Sequence, residues 1–189
     1  MPYPGQVDQA RIVEQARAMI EAEGVEAMSL QKLATALGVK APSLYRHVGS
    51  KAELLRAVNA GTIAQLISAL HDAGNQQQGL PQARLVAILR RFRQFAHAHP
   101  QCYLLFFTAQ IGDTRPDEAW LVELVLPIQA LMAEIVGEVA SLSALRGALA
   151  LAHGFVMLEL HQQLQRGGDL EATFVQAIEV YLRGLATAG

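Results

Sequence analysis

The residues of this chain best suited to meet a polyanion are gathered in one short stretch. All its lysines, Lys32, Lys40 and Lys51, fall there. From Lys32 to Arg56, five basic residues (Lys32, Lys40, Arg46, Lys51, Arg56) stand against one acid, Glu53, which leaves +4 locally in a chain of net charge −2. Ser43, Tyr45 and His47 add hydrogen-bonding side chains between them. A local excess of Lys and Arg on a small unit is the electrostatic footprint of a nucleic-acid-binding surface.

The elements that must position these groups can be read from the same residues. Leu30, Leu33, Ala34 and Leu37 recur at spacings of three and four, the inward stripe of a helix expected at about 30–37. Ser29 can cap its start and Gly38 can end it in a left-handed conformation. Pro42 suits the first turn of a second short helix at about 41–47, where no intrahelical N–H bond is lost. Two short helices joined this way form a helix-turn-helix. A further helix is expected at about 8–23, capped by Asp8, with Val7 and Ile12 as a hydrophobic staple and residues 1–6 as a mobile arm. Ser50-Lys-Ala-Glu53 reads as a capping box opening a long helix, which places Lys51 beside exposed backbone N–H groups that suit a phosphate.

The segment from about residue 8 to residue 58 resembles the DNA-binding domain of TetR-like transcriptional regulators. The resemblance is carried by Gly24, Leu33-Ala34, Leu37-Gly38-Val39, Leu44-Tyr45-Arg46-His47-Val48 and Ser50-Lys51 through Leu54-Leu55, in that order and spacing. A short His153-Gly154 pair resembles one C-terminal subgroup of that family. The implied fold is all-α with about nine helices: an N-terminal three-helix head (residues 1–50) on a helical effector-binding and dimerisation domain (residues 51–189).

The second helix of such a motif enters the major groove with its N-terminal residues near base edges. Lys40, Ala41, Pro42, Ser43 and Tyr45 are thus candidates for contact. Ala41 and Pro42 offer apolar contact that suits a thymine methyl. Ser43, Tyr45, His47 and Lys51 are expected on phosphates, as the resemblance also implies. Gln31 occupies a position that in relatives often reads a base, and a glutamine can pair with adenine. Arg46 can reach either backbone or base.

The rest of the chain is rich in aromatic and aliphatic residues on expected helices. Phe95, His99, Tyr103, Phe107, Trp120, His153 and Met157 are candidates to line an apolar small-molecule pocket. In relatives this region binds an effector that repositions the DNA-reading heads. Leu145, Leu149, Ala152 and Val156 on one helix, and Phe174, Ile178, Tyr181 and Leu182 on the last, form two apolar stripes. The resemblance implies that these stripes meet a second copy in a four-helix bundle.

The loops and breaks follow from Gly and Pro. Gly74 to Gly79 reads as the clearest loop, Gly167-Gly168-Asp169 separates the last two helices, and Pro81, Pro100 and Pro116 sit where helices should start. Pro127 should kink the helix that contains it. With 52% hydrophobic and only 17% charged residues, the chain can bury a large core and still keep apolar surface for a partner.

Other function classes find little support. The sequence has no Gly-rich phosphate loop, no nucleophile elbow and no compact metal-ligand cluster, so no enzyme activity, metal or cofactor is expected. Cys102, flanked by Tyr103-Leu-Leu-Phe, reads as a buried, inert thiol suited to a reducing cytoplasm. No uncharged stretch looks transmembrane, and the N-terminus has neither the basic start nor the apolar run of a leader. The chain is therefore expected to be a cytoplasmic homodimeric regulator, a repressor released from a palindromic operator by a small apolar effector. The alternative is a small-molecule sensor or carrier with a vestigial DNA-binding head.

Overall fold

The computed structural model describes residues 8–108 and 114–187. The expected arm at residues 1–6 and the staple residue Val7 lie outside them. Nine α-helices are present among the described residues, and no strand. They are α1 (Gln9–Glu23), α2 (Leu30–Leu37), α3 (Ala41–Val48), α4 (Lys51–Gln76), α5 (Pro81–Ala98), α6 (Pro100–Phe107), α7 (Glu118–Val136), α8 (Glu138–Leu160) and α9 (Leu170–Thr187). The chain divides into two compact units: Met1–Ala64 with His99–Asp117, and Gln65–Ala98 with Glu118–Gly189.

The first unit is built on one apolar core. Ile12, Ala16 and Ile20 of α1 meet Leu33, Ala34 and Leu37 of α2, and Leu44 and Val48 of α3. The same core takes in Leu54, Leu55 and Val58 of α4 and Cys102 and Leu105 of α6. The unit thus runs past the expected division at residue 50, because the start of α4 and all of α6 bury their apolar faces in it. Asp8 caps α1 through the Arg11 N–H at 2.8 Å. Gly24 ends α1 at a φ of 80°.

The second unit packs α5, α7, α8 and α9 around Leu85, Ile88, Leu89, Phe92 and Phe95 of α5 and Ile128, Leu131 and Met132 of α7. On α8, Ser141, Ala144, Ala148, Ala152 and Val156 face inward, four positions apart on average and mostly small, so neighbouring backbones can approach closely. On α9 the inward residues are Phe174, Ile178 and Leu182.

This placement corrects the expected dimer stripes. Ala152, Val156, Phe174, Ile178 and Leu182 lie in the chain's own core and cannot face a partner. Tyr181 is committed within the chain as well: its hydroxyl donates to the Ala144 carbonyl at 2.8 Å and lies against Gly147. Four large apolar residues of α8 are left in the open instead: Val139 and Leu158 near its ends, and Leu142 and Leu149, 43% and 42% exposed, beside half-buried Leu145. An apolar 3–4 spacing cannot by itself say which of two adjacent stripes is the inner one, and the alanine-rich stripe won because it lets α8 sit closer to its neighbours.

Two further expectations are adjusted. α4 continues through Gly74 to Gln76, so the loop is shorter than Gly74 to Gly79. A side chain at Gly74 would press on Ile88 of α5, at 2.8 Å from its Cδ1, which is why glycine is tolerated inside that helix. Pro81 and Pro100 open α5 and α6, whereas α7 begins two residues after Pro116. Pro127 lies inside α7, as expected.

A partly buried ion-pair network ties three helices of this unit. Arg93 of α5 donates to both oxygens of Glu159 of α8, Nη2 to Oε1 at 2.6 Å and Nε to Oε2 at 2.8 Å. Arg93 also pairs with Glu171 of α9, which Arg90 reaches at 2.7 Å. The Arg93 guanidinium lies 5.7 Å from the centroid of the Phe174 ring, within cation–π range. His97 Nε2 approaches Glu159 Oε2 at 3.0 Å.

Candidate nucleic-acid interface

The helix-turn-helix is set by its turn. Gly38 adopts a left-handed conformation, φ 70° and ψ 26°, that costs glycine little. This lets the Gly38 N–H reach Thr35 O at 3.1 Å and the Val39 N–H reach Ala34 O at 3.0 Å, closing α2. Ser29 opens α2 by accepting the Lys32 N–H at 3.2 Å. Lys40 stands as the N-cap of α3, with Pro42 in the first turn.

Burial then decides what α3 presents. Leu44 and Val48 point into the core of the unit. One hundred degrees per residue places Pro42 and Arg46 on the opposite side and Tyr45 on the flank between, and all three are exposed. Tyr45 is 53% exposed, a large aromatic side chain held out in the open by a short rigid helix. His47 and Lys40 are exposed as well, and Ala41 and Ser43 are half-buried. Gln31, at the start of α2, is exposed. The head therefore offers Gln31, Lys40, Pro42, Tyr45, Arg46 and His47 outward from two helices joined by one fixed turn.

Lys51 is more constrained than its sequence suggested. It is exposed, yet its Nζ donates to the Met28 carbonyl at 2.9 Å, which pins the α1–α2 connection to the start of α4. An ammonium has three donors, so two remain to meet a phosphate. Only half of the expected capping box is made: Ser50 Oγ accepts the Glu53 N–H at 3.1 Å, while the Ser50 N–H turns back to Val48 O and the Glu53 carboxylate lies over Gly49. Lys32 is engaged too, with Glu23 at 3.2 Å.

The seven expected pocket residues are divided between the units. His99, Tyr103 and Phe107 belong to the first, and Phe95, Trp120, His153 and Met157 to the second. In the first, the Tyr103 and Phe107 rings lie 4.6 Å apart at 36°, and Tyr103 is almost fully buried. In the second, Phe95 is a core residue, and burial lowers the pKa of His153, which favours its neutral form. Cys102 is fully buried; burial is the main cause that pushes its thiol to about 12, so it stays protonated and unreactive.

Comparison with known proteins places this geometry. Residues 12–58 match the model for bacterial regulatory proteins of the tetR family, and residues 85–181 match the tetracyclin repressor-like C-terminal domain. An uncharacterised HTH-type transcriptional regulator of Mycobacterium tuberculosis, Rv0681, is 34% identical over 161 residues, 83% of this chain and 72% of that protein. The chain belongs to the TetR family. It is a helix-turn-helix transcriptional regulator.

Two solved TetR-family structures share the fold. BioQ, of Mycobacterium smegmatis, crystallised with its natural double-stranded DNA operator, aligns with a TM-score of 0.67 at 18% identity, over 96% of this chain and 99% of that one. A TetR variant from Acinetobacter baumannii AYE in complex with minocycline aligns with a TM-score of 0.70 at 17% identity, over 97% of this chain and 98% of that one.

Sequence reasoning missed three contacts of the first unit: the Lys51–Met28 bond, the Glu21 carboxylate at the start of α6, and the bond from Asn59 to Thr114. None has a local spacing signal. Each joins residues at least 23 positions apart.

Proposed function

We propose that this TetR-family protein is a homodimeric repressor of the cytoplasm, released from a palindromic operator by a small, mainly apolar effector. The observation that carries the DNA-binding part is the outward row Pro42, Tyr45 and Arg46 on α3, flanked by Lys40, His47, Gln31 and Lys51. A solvated helix face has no need of an exposed tyrosine beside a proline, whereas a helix seated in the major groove uses apolar, aromatic and basic groups together. That retained row also favours a regulator over a carrier with a vestigial head.

The dimer reading rests on apolar surface. α7 and α8 have mean hydropathies of 1.7 and 1.4 over their most apolar windows, yet only 17% and 28% of those windows is buried within the chain. By length and composition both could cross a bilayer. α8, however, carries Glu159 bonded to Arg93 of α5, which commits it to a helical bundle in water. A second copy seated on Leu142, Leu145 and Leu149 accounts for the open face, and two heads then read two half-sites.

Effector response is supported by the aromatic and aliphatic character of the middle helices and by the minocycline complex of the relative. Footprinting of the full chain on a duplex that it selects is the test. Two protected half-sites related by a dyad, about 34–36 Å apart or a multiple of that, are expected. A single asymmetric half-site held by a monomer would refute the dimeric reading.

A further inference from the structure

The first unit buries three polar side chains in one place. Asn59 of α4 is 1% exposed, Thr62 one turn later 2%, and Thr114 just before α7 3%. Asn59 Nδ2 donates to the Thr114 carbonyl at 2.9 Å. That bond fixes the amide, because the flipped carboxamide would set oxygen against oxygen. Asn59 Oδ1 is left buried with no hydrogen-bond partner. The Thr62 hydroxyl donates to Val58 O at 2.9 Å, and its oxygen lies within hydrogen-bonding reach of the Cys102 thiol. Ser141, the other buried polar residue among those described, shows the contrast. Its Oγ donates to Glu138 O at 2.8 Å and accepts from Gln129 at 3.2 Å.

Leaving an acceptor buried and unpaired costs on the order of 1–3 kcal/mol. Such an atom takes a partner from outside the chain's own side chains and backbone, a ligand or an ordered water. We propose that Asn59 Oδ1 is a ligand-binding acceptor, the anchoring atom for a small neutral molecule that carries a hydroxyl or N–H donor on an apolar body. This deepens, and rests on, the reading of the protein as effector-responsive.

The surrounding chemistry selects that class. Asn59 Oδ1 and Thr114 O are both acceptors, and the Thr62 proton is spent on Val58, so an anionic oxygen would meet repulsion here. A cation would lose its hydration with no carboxylate among these groups to replace it. A neutral donor completes the missing bond at no electrostatic penalty. The core of the same unit, with Val58 next to Asn59 and Cys102 and Leu105 of α6, is apolar and suits the rest of such a molecule. Burial pushes both the Cys102 thiol and the Tyr103 phenol upward, which agrees with an interior where neutral groups are favoured.

The test uses the full chain and a matched pair of probes, phenol and anisole, which differ by the donor proton and one methyl. Thermal-shift titration and the side-chain carbonyl ¹³C resonance of Asn59 are read together. Wild type is expected to bind phenol about tenfold more tightly than anisole, with the Asn59 carbonyl signal moved by phenol alone. Asn59→Leu, which removes the unpaired acceptor, is expected to lose the discrimination while its unliganded midpoint stays within a few degrees of wild type. Should Asn59→Leu fail to fold, the wild-type carbonyl signal still decides. Equal binding of both probes with an unmoved Asn59 signal overturns the proposal and assigns Oδ1 to a resident water. Operator binding is assayed separately. A chain that prefers phenol but binds no DNA refutes the regulator reading alone, and one that regulates but shows no preference refutes this inference alone.

Discussion

The carboxylate of Glu21, on α1, accepts the backbone N–H of Cys102 at 3.2 Å and that of Gln101 at 3.0 Å, at the first turn of α6. The N-cap residue of α6, His99, makes no side-chain capping bond of its own. A helix that lacks a local cap is thus capped from a helix about eighty positions earlier in sequence. The same turn is held by the Cys102 thiol against Arg17 O at 3.7 Å and by its burial in the core of the head. α6 is therefore a structural part of the DNA-reading unit, and His99 alone separates it from the end of α5 in sequence.

Glu21→Ala is expected to destabilise the protein by about 1 kcal/mol, the usual worth of a lost cap. Its effect should concentrate on α6, visible as faster amide exchange at Gln101 and Cys102. Unchanged exchange at those two amides would show that α6 does not need this carboxylate.

Gly147 and Tyr181 form a second interlock, in the other unit. A Cβ at position 147 would fall on the Tyr181 hydroxyl. Alanine is ordinarily better than glycine inside a helix by up to about 1 kcal/mol. Here Gly147→Ala should instead lower stability by about 1–3 kcal/mol, since the crowded ring must move and its bond to Ala144 O is lost. The loss should shrink in a Tyr181→Phe background. Chemical denaturation of the two single variants and the double variant measures that coupling.

The Arg93–Glu159 pair predicts an acid dependence. Burial by itself raises the pKa of Glu159, 4% exposed, but hydrogen bonds from Arg93 and His97 and their charges outweigh it and hold the carboxyl below its ordinary range. A carboxyl depressed on folding contributes stability above its unfolded pKa and loses it as pH falls through the folded value. Wild-type stability should therefore fall below about pH 4.5, and more gently in Glu159→Gln. At neutral pH, Arg93→Met should cost about 3 kcal/mol, because it leaves the Glu159 carboxylate with His97 as its one remaining partner among the described residues. A wild type and Glu159→Gln with the same acid-unfolding profile would remove this carboxylate from the account.

The two sides of α8 should answer differently to a charge. Leu149→Asp alters an exposed side chain and should leave the helical content intact while weakening self-association. Val156→Asp buries a carboxylate in the chain's own core and should prevent folding. Sedimentation velocity and circular dichroism separate the outcomes. A Leu149→Asp protein that remains as strong a dimer as wild type would place the interface elsewhere.

What the sequence revealed follows from the range of each signal. Gly38, Pro42, Ser29 and Asp8 act on their own few residues, so α1, α2 and α3 were legible with their ends, whereas the exposed row on α3 became visible only once Leu44 and Val48 were seen to be buried. The inner stripe of α8 was misassigned because leucines and alanines alternate around that helix, and the choice between them depends on how near α9 can come. Glu21 and Asn59, and the bond of Lys51 to the Met28 carbonyl, were silent because the partners lie far along the chain. The long helix was cut short at Gly74 for a similar reason: Ile88 occupies the space that a side chain there would need.

The central claim is that Gln31, Lys40, Tyr45, Arg46 and Lys51 make the first unit a reader of duplex DNA. Selection from random-sequence duplexes with the full chain, followed by affinity measurement across salt concentrations, tests it most directly. The account predicts enrichment of one dyad-symmetric motif. Lys51→Ala should weaken binding to every duplex and reduce the slope of log affinity against log salt by about 1 per protomer, and Gln31→Ala should relax preference at one base position only. If no motif is enriched, or if Lys51→Ala and Tyr45→Ala bind the selected duplex as wild type does with the same salt slope, α3 is not the reading helix of this protein.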